Sequence, residues 1–383
     1  MPLRKLELIG GTLRLPVLLS SLIVLISDTS DCFAQIPDTE TQTSGNSTRR
    51  PPQRELISKN FVVHTDLPEA EAQEVLDRLE STLGRISSYW GRRPKQKVVC
   101  YIAADLENWR DADFPHGFAR ALIGGVGGGA YCESSPDERS NLKVTVYASS
   151  RLGLVEHESV HAYCGQTFGA TGPDWYKEGM AEMAFHGRAG KMEVECDAEV
   201  IKYLRSSPRK SVQQITNSGN MHEDLSLSLV KLLTAPGSDT RQLNHERLLD
   251  WKRDHGDSVE SARKSYHSCW ALCHFLSHNP NYAKRFHQLG RSYLSTQSKD
   301  QQPHLFPNLL GSMQPEIDFE YRFFLDRLDV GYRVDLCHWD WKGEFRTLGT
   351  GQSKSSRIKA AAGYQPSGWL VRKGRDYSYE SSG

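Results

Sequence analysis

The chain has 383 residues, with 47 basic and 47 acidic side chains and therefore no formal net charge. Binding to the nucleic-acid backbone requires an excess of lysine and arginine, so this balance argues against a nucleic-acid partner. The length is sufficient for two lobes with a cleft between them.

The N-terminus predicts an export signal. Basic residues precede an apolar run at residues 15–26, and Cys32 and Ala34 supply small side chains at positions −3 and −1 of a cleavage site after Ala34. The run is short for a membrane span and contains Pro16, although retention as an anchor is the alternative. We predict a signal peptide over residues 1–34 and an exported protein (periplasmic, at the cell surface or secreted). No membrane span is expected after cleavage.

Cleavage would leave seven cysteines, an odd number, in a compartment that permits disulfides. Their pairing cannot be read from the sequence. Cys269 and Cys273 share one helical face, where a disulfide would be strained, so both are expected to pack in the core. The absence of a Cys-x-x-Cys motif argues against zinc-ribbon and thioredoxin-type sites.

An N-terminal α/β lobe is predicted over residues 56–150, after a polar, disordered tether at residues 35–55. Apolar residues alternate in two short segments and recur at helical spacing between them. The pattern predicts a strand–helix–strand unit, with strands at residues 61–65 and 97–103 and a helix from Val75 to Trp90 that ends at Gly91.

A glycine-rich segment covers residues 123–131. It lacks the Gly-x-Gly-x-x-Gly spacing and no helix pattern follows it, which argues against a phosphate-binding loop. Two interpretations remain: a flexible hairpin or loop, and a glycine-lined edge strand with which a peptide could pair. The alternating segment at residues 142–148 predicts a further strand, leading into the next helix through Ser149 or Ser150 as its N-cap.

The most informative motif comes next, with His157, Glu158 and His161 in a His-Glu-x-x-His pattern. Residues four apart lie on one face of a helix, so both imidazoles can reach one ion from successive turns. Glu158 would then lie beside the open side of that ion, where it can take a proton from water. The motif predicts a catalytic zinc site within a mainly helical lobe over residues 151–335.

A second helix is predicted to supply the third ligand, with Asp174 as its N-cap and Gly187 as its stop. Glu178 follows His161 by 17 positions, across a glycine-rich turn. Two antiparallel helices could bring both histidines and Glu178 to one Zn²⁺ and leave its fourth position open. Glu182, one turn later, is a candidate partner for the spare N–H of a ligand histidine. The alternative is that both glutamates belong to a solvated helix face.

Residues 157–182 resemble the gluzincins, zinc peptidases in which a helical His-Glu-x-x-His precedes a second helix with a glutamate ligand. The Trp-x-x-Glu-Gly-x-Ala-Glu form from Trp175 to Glu182 resembles the aminopeptidase N-like branch, and more closely the peptidase-MA-like families of exported bacterial proteins. A looser similarity runs from about residue 56 to residue 330. The resemblance implies a zincin-like core, Zn²⁺ and hydrolysis of a peptide or protein substrate. The chain has no equivalent of the Gly-x-Met-Glu-Asn segment that binds a free N-terminus, so an exopeptidase is not implied.

A later helical pattern contains Tyr266 and Trp270 and ends before Pro280. Tyr266 is the candidate electrophile that would hydrogen-bond the developing oxyanion, and its alternative role is that of a core aromatic with a polar tip. Residues 336–383 are rich in Gly, Ser, Lys and Trp, without a repeat. They are predicted to form a C-terminal extension.

The sequence therefore predicts an α+β fold with a zincin-like catalytic core. Its N-terminal mixed α/β lobe carries an edge strand, and a mainly helical lobe follows. The predicted function is that of a zinc-dependent peptidase in which Glu158 is the general base. Two other classes stay open: a non-catalytic, zinc-containing module that binds peptide or cell-wall material, and a structural exported protein whose motif helix is simply packed. The substrate and the oligomeric state cannot be read from the sequence.

Overall fold

The computed structural model describes most of the chain between residues 53 and 339. The described residues are 22–26, 53–133, 142–186, 193–217, 228–229, 232, 241–296, 301–339, 341, 346–347 and 369–370. Apart from residues 22–26 and 53–55, the predicted signal peptide and tether lie outside these ranges, as does most of the C-terminal extension. Export therefore stays a prediction.

One mixed sheet forms the base of the N-terminal half, with the strand order β1-β5-β6-β4-β3-β2. Strands β3, β4 and β6 run parallel, whereas β2, β5 and β1 pair antiparallel with their neighbours. The strands are β1 (Leu22–Ile26), β2 (Arg54–Ile57), β3 (Phe61–Thr65), β4 (Val98–Ala103), β5 (Gly127–Glu133) and β6 (Lys143–Ser149).

The predicted strand–helix–strand unit is confirmed. In β3 alternate side chains are buried, and a helix, α1 (Glu69–Trp90), connects β3 to the parallel strand β4. Gly91 ends α1 with a left-handed φ of 70°, a conformation that glycine adopts without steric cost. The predicted tether is too long by two residues, because Arg54 and Glu55 already pair with β3.

The glycine-rich segment forms a helix, α2 (Ala119–Val126), followed by β5. The strand is thus confirmed for Gly127–Glu133, but β5 pairs with both β1 and β6 and is not an edge strand of this sheet. The hairpin or loop interpretation is wrong for residues 123–131, and α2 was not predicted. Packing explains both glycine positions. A Cβ at Gly125 would lie 2.2 Å from Leu248, and one at Gly128 would lie 2.6 Å from the carbonyl oxygen of Tyr147.

After β6 the described chain is mainly helical, as predicted. The α-helices are α3 (Leu154–Phe168), α4 (Asp174–His186), α5 (Ala198–Ser206), α6 (Val212–Thr216), α7 (Arg241–His278), α8 (Ala283–Ser295), α9 (Gln302–Leu310) and α10 (Gln314–Arg327). Short 3₁₀ turns lie at residues 106–108, 111–113, 311–313 and 334–337. None of the helices in the described ranges has the length and apolar character needed to cross a membrane.

A continuous hydrophobic core joins the sheet to the helices. It includes side chains from β3, α1, α3, α4, α7 and α10, so packing continues across the predicted lobe boundary between residues 150 and 151. A second cluster covers the other face of the sheet around α2. Cys269 and Cys273 are buried in the core and form no disulfide with each other, as expected. In the C-terminal extension, β7 (Arg346–Thr347) pairs in parallel with β8 (Trp369–Leu370).

Candidate metal centre

The motif helix α3 begins later than predicted. Ser149 is the last residue of β6, and Gly153, with a φ of 85°, precedes the first helical residue, Leu154. The predicted N-cap at Ser149 or Ser150 is therefore wrong. Glycine is required at 153 because a Cβ there would be strained and would lie 2.9 Å from the ring of Phe185 in α4.

The second helix of the site, α4, packs against both α3 and α7. Asp174 is its first residue rather than its N-cap, and its Oδ1 accepts a hydrogen bond from Nζ of Lys177 at 2.8 Å. The helix ends at His186, and the predicted stop at Gly187 lies outside the described residues. Gly179 permits close packing, because a Cβ there would lie 2.5 Å from the carbonyl oxygen of Cys269 in α7.

The three predicted metal ligands meet at one point. His157 Nε2 and His161 Nε2 are 2.9 Å apart, and each lies 3.4 Å from Glu178 Oε2. A triangle with these sides has its corners about 1.9 Å from its centre, slightly less than the Zn–N and Zn–O distances of about 2.0–2.2 Å. The separations of these two imidazole nitrogens and one carboxylate oxygen therefore fit Zn²⁺, which the three residues would hold.

Glu182 lies where the sequence predicts it, beside His157, a predicted metal ligand. Its Oε1 is 3.0 Å from His157 Nδ1, and its Oε2 is 3.2 Å from His186 Nε2. A carboxylate at this position fixes the imidazole tautomer and orients Nε2 toward the cluster. His186 was not predicted as part of the site, although its spacing of four residues from Glu182 places the two on one helical face.

Glu158 is fully buried beside the cluster. Neither of its carboxylate oxygens has a hydrogen-bond partner among the described residues. The backbone of Ala130 in β5 is close enough to exert a lowering effect on the pKa of this carboxyl. Burial raises the pKa of the Glu158 carboxyl to about 8, with Glu178 adding to the effect and His157 opposing it. A buried, unpaired carboxyl is costly to maintain, which is typical of a group kept for its chemistry.

The two histidines have opposite electrostatic environments. Burial lowers the pKa of His157, but contacts with Glu178 and Glu182 outweigh it and raise that pKa to about 9. Burial lowers the pKa of His161 to about 4, because Glu178 offsets it only in part. Burial also acts to raise the pKa of Glu178, but Lys177 and the imidazoles hold it well below its usual value. The surroundings therefore favour the protonated form of His157 and the neutral form of His161.

A nearly buried ammonium group also lies beside the cluster. Lys177 Nζ lies 3.2 Å from Glu178 Oε1 as well as 2.8 Å from Asp174 Oδ1, and only 11% of its side chain is exposed. Lys177 was not predicted as part of the site. The sequence feature that could have predicted its position is the spacing of three residues between Asp174 and Lys177, which allows an ion pair on one helix face.

Tyr266 lies in α7, next to the cluster. Its ring centroid is 6.4 Å from that of His157, and 3% of the residue is exposed. Burial, reinforced by nearby carboxylates, raises the pKa of its hydroxyl well above the usual value, so the phenol stays protonated. It is thus a buried aromatic close to the predicted ligands, and its role in the reaction stays a proposal.

The predicted catalytic side chains are closed to solvent. His157, Glu158, His161 and Glu178 are each at most 1% exposed. A cavity of about 690 Å³ lies nearby between α1, α4 and α7, but its lining includes His186 and none of these four residues. On the other side of the cluster, Ala130 near Glu158 belongs to β5, whose outer edge pairs with β1.

Comparison with family models, with curated proteins and with solved structures gives no significant match to this chain.

Proposed function

We propose that this chain is a zinc-dependent peptidase with a zincin-like core. The observation that carries the proposal is the convergence of His157, His161 and Glu178 beside the unpaired carboxyl of Glu158. Among the described residues this is the one group of histidine, cysteine and acidic side chains close enough to hold a metal ion. Two imidazoles and one carboxylate are the donor set of catalytic zinc sites that keep a fourth position open.

The chain's own residues would divide the work as follows. His157, His161 and Glu178 would hold zinc, which, when bound, polarises a carbonyl group and makes water more acidic. Glu158 would take the proton of the attacking water and pass it to the leaving amine, a task suited to a carboxyl whose pKa lies near neutral pH. Glu182 would keep His157 oriented. Tyr266, whose hydroxyl has a raised pKa and keeps its proton near neutral pH, would donate a hydrogen bond to the oxyanion.

The edge of β5 is the proposed position of the substrate backbone. Its Ala130 lies near Glu158, and residues 127–131 pair antiparallel with the extended segment Leu22–Ile26. Main-chain pairing of this kind gives affinity for an extended peptide of varied sequence. We therefore expect a peptide or protein substrate in extended conformation, with the predicted removal of residues 1–34 freeing the edge.

The alternative is a non-catalytic, zinc-containing module that binds peptide or cell-wall material. The observation in its favour is burial, because side chains that are at most 1% exposed give a substrate no direct access to the cluster. Such a module has no use for a general base. The two functions therefore differ in their dependence on Glu158.

Glu158→Gln tests the proposal, because it removes the base and leaves all three donors in place. We expect hydrolysis of a mixed peptide pool to fall by about 10²–10⁴-fold while zinc content stays at the wild-type level. Glu156→Gln is the matched control: Glu156 is also buried in α3, but it pairs with Arg78 at 2.7 Å, away from the cluster. Equal turnover in wild type and Glu158→Gln would refute the peptidase mechanism. A zinc-loaded wild type that retains a peptide without cleaving it would favour the binding module.

A further inference from the structure

The two oxygens of the Glu178 carboxylate have different surroundings. Oε2 lies 3.4 Å from each histidine Nε2 and has no hydrogen-bond partner among the described residues. Oε1 lies 3.2 Å from the ammonium of Lys177. One oxygen therefore faces the proposed ion, and the other is engaged by a cation.

The ammonium itself is firmly held. Its second contact is with Asp174 Oδ1 at 2.8 Å, and both side chains are almost buried, at 11% and 13% exposed. Asp174 and Lys177 lie three residues apart on α4, so the helix fixes their separation.

A cation beside a zinc ligand is electrostatically unfavourable for metal binding, because it repels the dication and competes for the electrons of the carboxylate. The position of Lys177 therefore does not favour metal affinity. A carboxylate whose second oxygen is hydrogen-bonded can offer the ion one oxygen only. It also neutralises less of the ion's positive charge, so the ion stays a stronger Lewis acid.

We propose that Lys177 is a positioning residue of the metal centre: it holds Oε1 of Glu178, leaves Oε2 as the single donor oxygen and limits the charge that the carboxylate gives to the ion. The inference rests on the zinc site of the proposed function and adds a residue to it. With Lys177 in place, the metal centre binds its ion more weakly, but the ion keeps an open position and is more electrophilic. Asp174 acts through Lys177 by fixing the ammonium.

Lys177→Met tests this inference because methionine keeps the length of the side chain and removes the charge. Glu178 is then free to bind through both oxygens, so zinc is expected to bind about tenfold more tightly in competition with a chromophoric chelator. Lys177→Arg, which keeps a cation, should stay within about threefold of the wild type. Lys202→Met is the matched control, because Lys202 is 74% exposed and pairs with Glu199 at 3.6 Å on the surface of α5.

A second measurement reports on the ligand arrangement without reference to activity. With Co²⁺ in place of zinc, a change from one donor oxygen to two raises the coordination number, and the visible absorption of the metal weakens. We expect this loss of intensity in Lys177→Met and not in Lys177→Arg or Lys202→Met. Since Lys177→Met leaves Asp174 without its cation, Asp174→Asn combined with Lys177→Met serves if the single variant does not fold.

The outcomes separate this inference from the proposed function. Tighter zinc binding with weaker Co²⁺ absorption in Lys177→Met supports the positioning role. An unchanged or weaker zinc affinity in a folded Lys177→Met protein overturns it, because Lys177 would then only stabilise the helix. A wild-type chain that binds neither zinc nor Co²⁺ instead refutes the metal centre itself.

Discussion

Gly179 tests whether packing of α4 on α7 holds Glu178 in place. A Cβ at this position would lie 2.5 Å from both the carbonyl oxygen of Cys269 and Sγ of Cys273. Both distances are at least about 1 Å shorter than a normal contact, and one of the two atoms is backbone, so the helices must separate. Overpacking of this kind costs about 1–3 kcal/mol, against about 0.5–1 kcal/mol that alanine contributes over glycine within a helix. We expect Gly179→Ala to lower the free energy of unfolding by about 1–2 kcal/mol.

Urea unfolding of the metal-free protein, followed by circular dichroism, measures this change, and chelator competition measures the zinc affinity. Gly179→Ala should also weaken zinc binding, because Glu178 is its neighbour on the displaced helix. Gly256→Ala is the control, since no atom lies within 4 Å of a Cβ at this exposed position of α7. It should gain about 0.5–1 kcal/mol. A Gly179→Ala protein that matches this control in stability would refute the proposed packing.

Three further outcomes are expected. Glu182→Gln should weaken zinc binding by about 10–100-fold in chelator competition, while Glu199→Gln on an exposed surface should not; equal affinities would contradict the orienting role. Because the pKa of His157 is raised to about 9 in the metal-free cluster, zinc must displace a proton, so titrations should show affinity rising about tenfold per pH unit from pH 6.5 to 8.5. A pH-independent affinity would contradict that protonation. Tyr266→Phe should lower kcat by about 10–10³-fold with little change in KM. An unchanged kcat would show that Tyr266 is a core aromatic residue without a role in the reaction.

The site was predictable where the positions of its residues depend on spacing within a single helix. The spacing within His157, Glu158 and His161, and that between Glu178 and Glu182, follows from the period of a helix, and only one turn had to bring the two helices together. These residues meet as expected. Strands β3 and β4 and helix α1 were predictable for the same reason, because their burial follows the alternation or the helical spacing of the sequence.

Features that depend on tertiary contacts were not predictable. Helix α2 contains Gly125, which disfavours a helix locally but allows Leu248 of α7 to approach. The start of α3 depends on the position of Phe185, which is distant in sequence from Gly153. Lys177 would ordinarily be assigned to a solvated face, and its contacts with the nearly buried Asp174 and the buried Glu178 carboxylates explain its inward position.

Zinc quantitation in the purified protein tests the central claim most directly. Atomic absorption on the wild-type chain, prepared without chelator, should give one zinc per chain. A folded Glu178→Ala variant should give a content close to zero, because two imidazoles alone hold the ion weakly. A wild-type chain that contains no more zinc than Glu178→Ala, and takes up none on addition, would contradict the metal centre and the peptidase function built on it.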